Sequence, residues 1–257
     1  MNQELAPVEV ARSLALWREH AAMALPILRN SPPRNIPAEQ ENTAIFVATR
    51  RSPFSEIAVR NLMYFLDSDW GLELCVAESM MEWATSLVAE WGDVRLHPIL
   101  NPEGLVASVL LNRVMRTEIF WSDLEGDNLM LFDSGSLLRH RLPPEFDEFD
   151  FIGSPWHAEH VPPWCRVGSG GLSLRKKSAM LDVIDSCNTN YWLCDHEDIF
   201  YSAAMHLSPD RYFLPSPARA AEFSVEQVFH PNPVALHQAW KYQPAEKLKA
   251  LLDGILY

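Results

Sequence analysis

The sequence predicts an α/β fold built on a mostly parallel sheet, and three observations carry that reading. Between residues 42 and 97, short apolar runs alternate with amphipathic stretches, which is the spacing of βαβ units. The first run, Ala44-Ile45-Phe46-Val47-Ala48, is apolar without interruption, as expected of a strand covered by helices on both faces. A later run, Leu129-Met130-Leu131-Phe132, ends on Asp133. That puts a carboxylate beyond the carboxyl end of a strand, where open α/β sheets hold their ligands.

Taken in order, residues 8–28 place Val8, Val10, Leu14, Leu16, Trp17 and Ala21 partly at helical spacing. Pro26, Ser31-Pro32-Pro33 and Pro37 break the pattern, so a helix and a stiff linker are expected over residues 1–41, ahead of a single domain over 42–257. The helix offers a surface for homo-oligomer formation. Residues 44–49 read as a strand, 54–66 as an amphipathic helix (Phe54, Ile57, Ala58, Leu62, Phe65, Leu66), 72–76 as a strand, 79–90 as a helix and 94–97 as a strand. Crossovers between such parallel strands are right-handed. After the strand at 129–132 the chain turns rich in proline (Pro143, Pro144, Pro155, Pro162, Pro163) and is expected to be loop-like as far as residue 167. Helices follow over 176–187 and 197–207, then an irregular stretch from Pro209 to Pro217 and a last helix over 245–252.

Composition narrows the function. The 257 residues are 48% hydrophobic and 21% charged, ordinary globular usage with ample core material. The net charge of −13 disfavours a duplex nucleic acid partner, because phosphate backbones are bound by Lys and Arg. Cys75, Cys165, Cys187 and Cys194 show no paired spacing of a disulfide framework or zinc site. With no basic leader and no apolar run near the ~20 residues of a membrane span, a cytoplasmic protein is expected. There is no G-x-S-x-G elbow and no phosphate loop. Gly168-Ser169-Gly170-Gly171 opens no dinucleotide-binding turn either.

The chain has only ten glycines, and three stand at 168, 170 and 171. Before them lies Asp150-Phe151-Ile152-Gly153-Ser154-Pro155-Trp156, and after them Asp195-His196-Glu197-Asp198. A glycine floor with an aromatic on one side and carboxylates on the other suits a polar, ring-shaped ligand. A tight turn between two strands is the plainer alternative. Asp133-Ser134-Gly135 can hold a divalent ion or simply close a strand as a turn. Asp195 and Asp198 have the spacing of a helix cap, yet a carboxylate there can also serve as a general base. Arg175 is a candidate bidentate phosphate ligand, and Lys176 and Lys177 read as solvated helix surface.

Taken together, Asp150–Trp156, Gly168–Arg175, Glu197–Phe200, Phe223–Glu226 and His237 resemble a little-characterised glycosyltransferase-like family of bacteria and fungi. Its pattern runs D-[YF]-I-G-[AS]-P-W, G-N-G-G-[FL]-S-L-R, E-D-x-F, F-S-x-E and a late His. Matches at Asp69-Trp70-Gly71, Phe120-Trp121 and 129–138 extend the resemblance over residues 42–242. It implies a GT-A-like sandwich and transfer of a sugar, with inversion, from a nucleotide-diphosphate-sugar donor to a hydroxyl on a glycan or small molecule. A non-catalytic nucleotide- or sugar-binding module of the same fold is the alternative. By family position, Asp198 and then Glu197 are the implied catalytic carboxylates. Thr49, Arg50 (with Arg51 beside it), Asp133, Ser134, Gly135 and Arg175 would meet the donor. Asp150, Gly153, Trp156, Gly168, Gly170 and Gly171 would line the sugar or acceptor, and Asp133 and His237 would hold Mn or Mg. The chain departs from the family at two places. The family's Phe-Gln-Thr-Asp-Ser places its Asp on Gly135 and its Gln on Asp133, and the glycine before the late His is Ala235.

Overall fold

Strands β1 (Asn42–Ala48), β2 (Trp70–Ala77), β3 (Arg95–Ile99) and β4 (Asn128–Phe132) pair in parallel in the order β3-β2-β1-β4. The computed structural model describes residues 5–36, 39–159, 161–162, 165–187 and 196–256. β7 (Leu172–Lys176) continues the sheet antiparallel to β4, and β6 (Phe151–Gly153) closes it antiparallel to β7. The sheet is therefore mostly parallel, with its antiparallel pairings gathered at one side. A smaller sheet joins β5 (Ser136–Leu138) to β9 (Ala235–His237) and β9 to β8 (Ser224–Val225). Stretches expected to be loop thus hold β5 and β6.

Successive strand residues face opposite sides of a sheet, and the uninterrupted apolar run of β1 feeds two cores. Ala44, Phe46 and Ala48 pack with Leu72, Leu74, Met130, Phe132 and Leu174 on one side. Ile45 and Val47 pack with Leu129, Leu131, Trp121, Phe200 and Tyr201 on the other. The first side is covered by α2 (Ser55–Phe65) and α3 (Met81–Leu87). The second is covered by α4 (Ala107–Val114), α5 (Glu118–Ser122), α6 (Lys177–Ser186) and α7 (Glu197–His206). α8 (Pro217–Phe223) precedes the small sheet, and α9 (Ala245–Leu252) ends the described chain.

The first helix corrects an expectation. α1 runs from Pro7 to Asn30 straight through Pro26. A proline removes one backbone hydrogen bond, but buried Ala24 and Leu28 hold the helix on either side of it. α1 contacts α2 and α9. The Trp17 and Trp240 rings lie 4.6 Å apart, Ser13 Oγ donates to the Gln243 carbonyl at 2.9 Å, and the Ala245 N–H donates to Glu9 Oε1 at 2.8 Å. α1 buries Trp17, Ala21, Ala24 and Leu28 against α9 and the turn at Ala239–Lys241, while Val8, Met23 and Ile27 stay exposed. Among the described residues, no helix is long and apolar enough to cross a membrane.

Candidate functional site

The loop after β4 is held in a defined shape by its own polar groups. The Asp133 N–H donates to the Gly171 carbonyl at 2.9 Å. Asp133 Oδ1 accepts the Gly135 N–H at 2.6 Å, and Oδ2 accepts Gln238 Nε2 at 3.0 Å. Pairing of β5 with β9 sets Ser136 opposite His237, which carries the imidazole to the same place. His237 Nε2 lies 3.5 Å from Asp133 Oδ1, and Nδ1 lies 3.3 Å from Glu226 Oε2 and 3.2 Å from Ser169 Oγ. Burial opposes charge on this ring, but the Glu226 and Asp133 carboxylates outweigh it and push its pKa up to about 10. Burial likewise opposes the Asp133 anion. His237 and the hydrogen bonds from Gly135 and Gln238 nonetheless keep that carboxyl below its ordinary range.

Two glycines make this proximity attainable. A Cβ at Gly171 would lie 2.0 Å from His237 Nε2, and one at Gly170 would lie 2.6 Å from Glu197 Oε1. Ser169, just before them, has φ 147°, and Gln238 has φ 43°. Backbone of this kind in residues other than glycine gathers at functional sites.

On the other side of the glycine segment 168–171 stands the start of α7. Asp198 Oδ2 accepts the Gly170 N–H at 2.8 Å, and Oδ1 accepts the Ile199 N–H at 2.8 Å. Burial, then the adjacent Glu197, push its pKa up to about 6 against the pull of Arg175 and the two amides. Glu197 itself points inward. Its oxygens receive Arg175 Nη1 at 2.6 Å and Nη2 at 2.9 Å, and the two residues are 1% and 3% exposed. Two expectations change here. Arg175 is sealed in an ion pair and cannot reach a phosphate, and Glu197 is tied up as its partner and is not available as a base.

Other expected residues separate by position. Thr49, Arg50 and Arg51 follow β1 at the sheet edge where Asp133 and Ser134 follow β4, with Arg50 and Arg51 exposed and Arg51 over the Trp83 ring. Gly153 and Gly168 meet back to back, so that a Cβ on Gly153 would strike the Gly168 carbonyl at 2.3 Å. Trp156 is 9% exposed and packs with Cys165 and Ala203, its ring against Gly168. It backs the glycine strand and offers no open face to a sugar. Asp150 lies at the far edge. The Lys176 N–H donates to the Asp150 carbonyl at 2.9 Å, away from the Leu172 end of β7 that meets Asp133, and Asp150 Oδ2 accepts the Phe213 N–H at 2.7 Å. Its expected place in a sugar wall fails on strand polarity. Asp195 lies outside the described residues. Sequence reasoning gave no role to Glu226, Gln238 or Ser169. Glu226 closes the Phe223–Glu226 match, which was a usable signal; Gln238 had none.

Among the described residues no three His, Cys, Asp or Glu side chains converge on one point. Asp133 Oδ1 and His237 Nε2 do fit as two ligands of a divalent ion. Their 3.5 Å separation is too long for a hydrogen bond, and Nε2 is buried with no hydrogen-bond partner. Mg²⁺ commonly takes one or two protein ligands, with the rest from phosphate and water. Loading the pair requires His237 to release its proton.

The chain belongs to the family described as protein of unknown function DUF5672, whose sequence profile matches residues 100–237. Among solved structures, the apo form of the glycosyltransferase GlyE of Streptococcus pneumoniae TIGR4 superposes with a TM-score of 0.50 at 14% identity, over 77% of this chain and 54% of that one. A second GlyE structure gives 0.51 at 12%, over 78% and 55%. Apo mouse xyloside xylosyltransferase 1 gives 0.51 at 10%, over 77% and 97%. The chain thus spans about half the length of the GlyE chains, and no curated protein matches it. The fold is GT-A-like.

Proposed function

We propose that this chain is a glycosyltransferase moving a sugar from a nucleotide-diphosphate-sugar donor to a hydroxyl acceptor with inversion. One observation carries the reading. The segment Gly168–Gly171, which leads into β7, has the Asp133–His237–Glu226 row on one side and Asp198 on the other. A diphosphate needs positive charge or a metal at the leaving end, and an acceptor hydroxyl needs a base at the attacking end.

Asp198, ionised, takes the acceptor proton as the acceptor oxygen forms its bond to the anomeric carbon. The bond from that carbon to the phosphate oxygen breaks, and the nucleoside diphosphate leaves with the electron pair. Its charge develops near His237 and the rim arginines Arg50 and Arg51. A Mn or Mg ion on Asp133 and His237 would neutralise the diphosphate in place of the imidazolium proton, which His237 gives up on ligation.

A non-catalytic nucleotide- or sugar-binding module is the second reading. It is favoured by Asp133, both of whose oxygens already hold protein hydrogen bonds. The two separate in one experiment. UDP-, GDP- and CMP-sugars are screened by thermal shift with and without Mn²⁺, and nucleotide release is then followed. A shift with release is expected. A shift with no release over hours establishes the module, and no shift with any donor overturns both.

A further inference from the structure

We infer that the buried Arg175–Glu197 pair is a positioning device that seats the first turn of α7 on β7 and so aims Asp198 at the glycine segment before β7; the inference rests on the reading of Asp198 as base. Neighbouring residues on a helix diverge by about 100°. Once Glu197 is fixed inward, Asp198 is committed to the direction of Gly170, whose N–H it meets at 2.8 Å. The fixing is thorough. Both branches of the guanidinium hold the carboxylate, a fork geometry that locks orientation as well as distance. Arg175 Nε donates to Ser173 Oγ at 2.9 Å. The guanidinium lies 4.6 Å from the Phe151 ring centroid, 5.6 Å from Trp121 and 5.7 Å from Tyr201. The Glu197 N–H donates to Asn112 Oδ1 at 2.9 Å, which ties the same turn to α4.

Stability is a poor account of such a pair. Burying two charges sets a desolvation penalty against their attraction, and apolar residues of similar volume often serve as well. What the pair does supply is direction. It also sets the electrostatics of Asp198, which faces the Glu197 anion from its own helix, the Arg175 cation from β7, the neutral Asn112 from α4 through the Glu197 amide, and the Gly170 amide from the floor.

The test uses the full chain without donor, labelled at the aspartate carboxyl carbons and backbone nitrogens. The carboxyl signal missing from Asp198→Asn identifies Asp198. In the native chain this signal and the Gly170 amide should titrate together, with a midpoint of about 6. The double variant R175Q/E197Q removes both charges and strands neither. If it folds by circular dichroism, the Gly170 amide should no longer follow Asp198. Arg175→Lys keeps the charge but not the fork, and should show the same uncoupling if the double variant does not fold. With a donor that turns over, Arg175→Lys should lower kcat by about 10²-fold, the scale of a small misplacement, and leave donor KM unchanged. A folded variant whose Gly170 amide still tracks Asp198 with the native midpoint overturns the inference. Undiminished nucleotide release by Asp198→Asn overturns instead the base assignment, and leaves the positioning result standing on its own.

Discussion

A general base works best when its pKa lies near the working pH, and the setting of Asp198 provides that. Burial first, then the neighbouring Glu197 charge, push the carboxyl up to about 6. Below that pH the base is protonated, so transfer should fall steeply as pH drops beneath about 6 and level off above it. Asp198→Asn should lower turnover by roughly 10²–10⁴-fold, the scale of general-base catalysis. Its effect on stability has a definite sign. A carboxyl whose folded pKa is raised stabilises the protein at low pH and loses that contribution as pH rises through the folded value. At neutral pH the ionised, crowded Asp198 is therefore a liability. Asp198 stands behind the N-cap position His196, so the Asn variant removes no cap, and it should be destabilised by no more than about 1 kcal/mol. Nucleotide release and thermal melts check both limbs; a folded variant with native turnover leaves Asp198 only its hydrogen bonds to the Gly170 and Ile199 amides. At the level of single residues Asp133, Asp198 and His237 were legible as candidates, Asp133 by its place after a strand and the other two by family position. Arg175 was misread although the signal lay in the sequence. In Leu172-Ser173-Leu174-Arg175 the alternation puts Arg175 on the same face as Ser173, and the helices packed on that face leave the two residues 1% and 0% exposed.

Elements with long apolar or periodic patterns were read well, and the three-residue strands were not. β1, β2 and α2 carry runs of seven, eight and eleven residues, enough for a period to show. β5, β6 and β9 have three residues each, and only their partners define them. β9 is the costly omission, since it is the strand that brings His237 to Asp133. α1 was legible as a helix but not as part of the packed body, because its partners Trp240 and Leu248 come more than two hundred residues later. Trp17 is 1% exposed at the centre of that contact. Trp17→Ala should destabilise the fold by about 3–5 kcal/mol, as large core truncations do, measured by denaturant or thermal unfolding. A loss below about 1 kcal/mol would restore α1 to the status of a detachable extension.

At the scale of the whole molecule, the candidate site works against its own surroundings. The net charge is −13, and the proposed donor is an anion. Close to the site the balance differs, with Arg50 and Arg51 exposed at the sheet edge and His237 held as a cation between Asp133 and Glu226. The long-range field should therefore repel the donor while short-range contacts attract it, and the two respond differently to salt. The Debye length shrinks from about 30 Å at 0.01 M to about 8 Å at 0.15 M ionic strength. That change removes most of the distant repulsion and leaves contacts of hydrogen-bond length nearly untouched. Donor kcat/KM should consequently hold or rise as salt increases over this range. Binding steered by a favourable field would instead fall steeply. The measurement is kcat/KM for one active nucleotide-sugar across a sodium chloride series at fixed Mn²⁺. A steep decline would mean that the arginine rim dominates the approach and that the net charge of the chain has no bearing on donor capture.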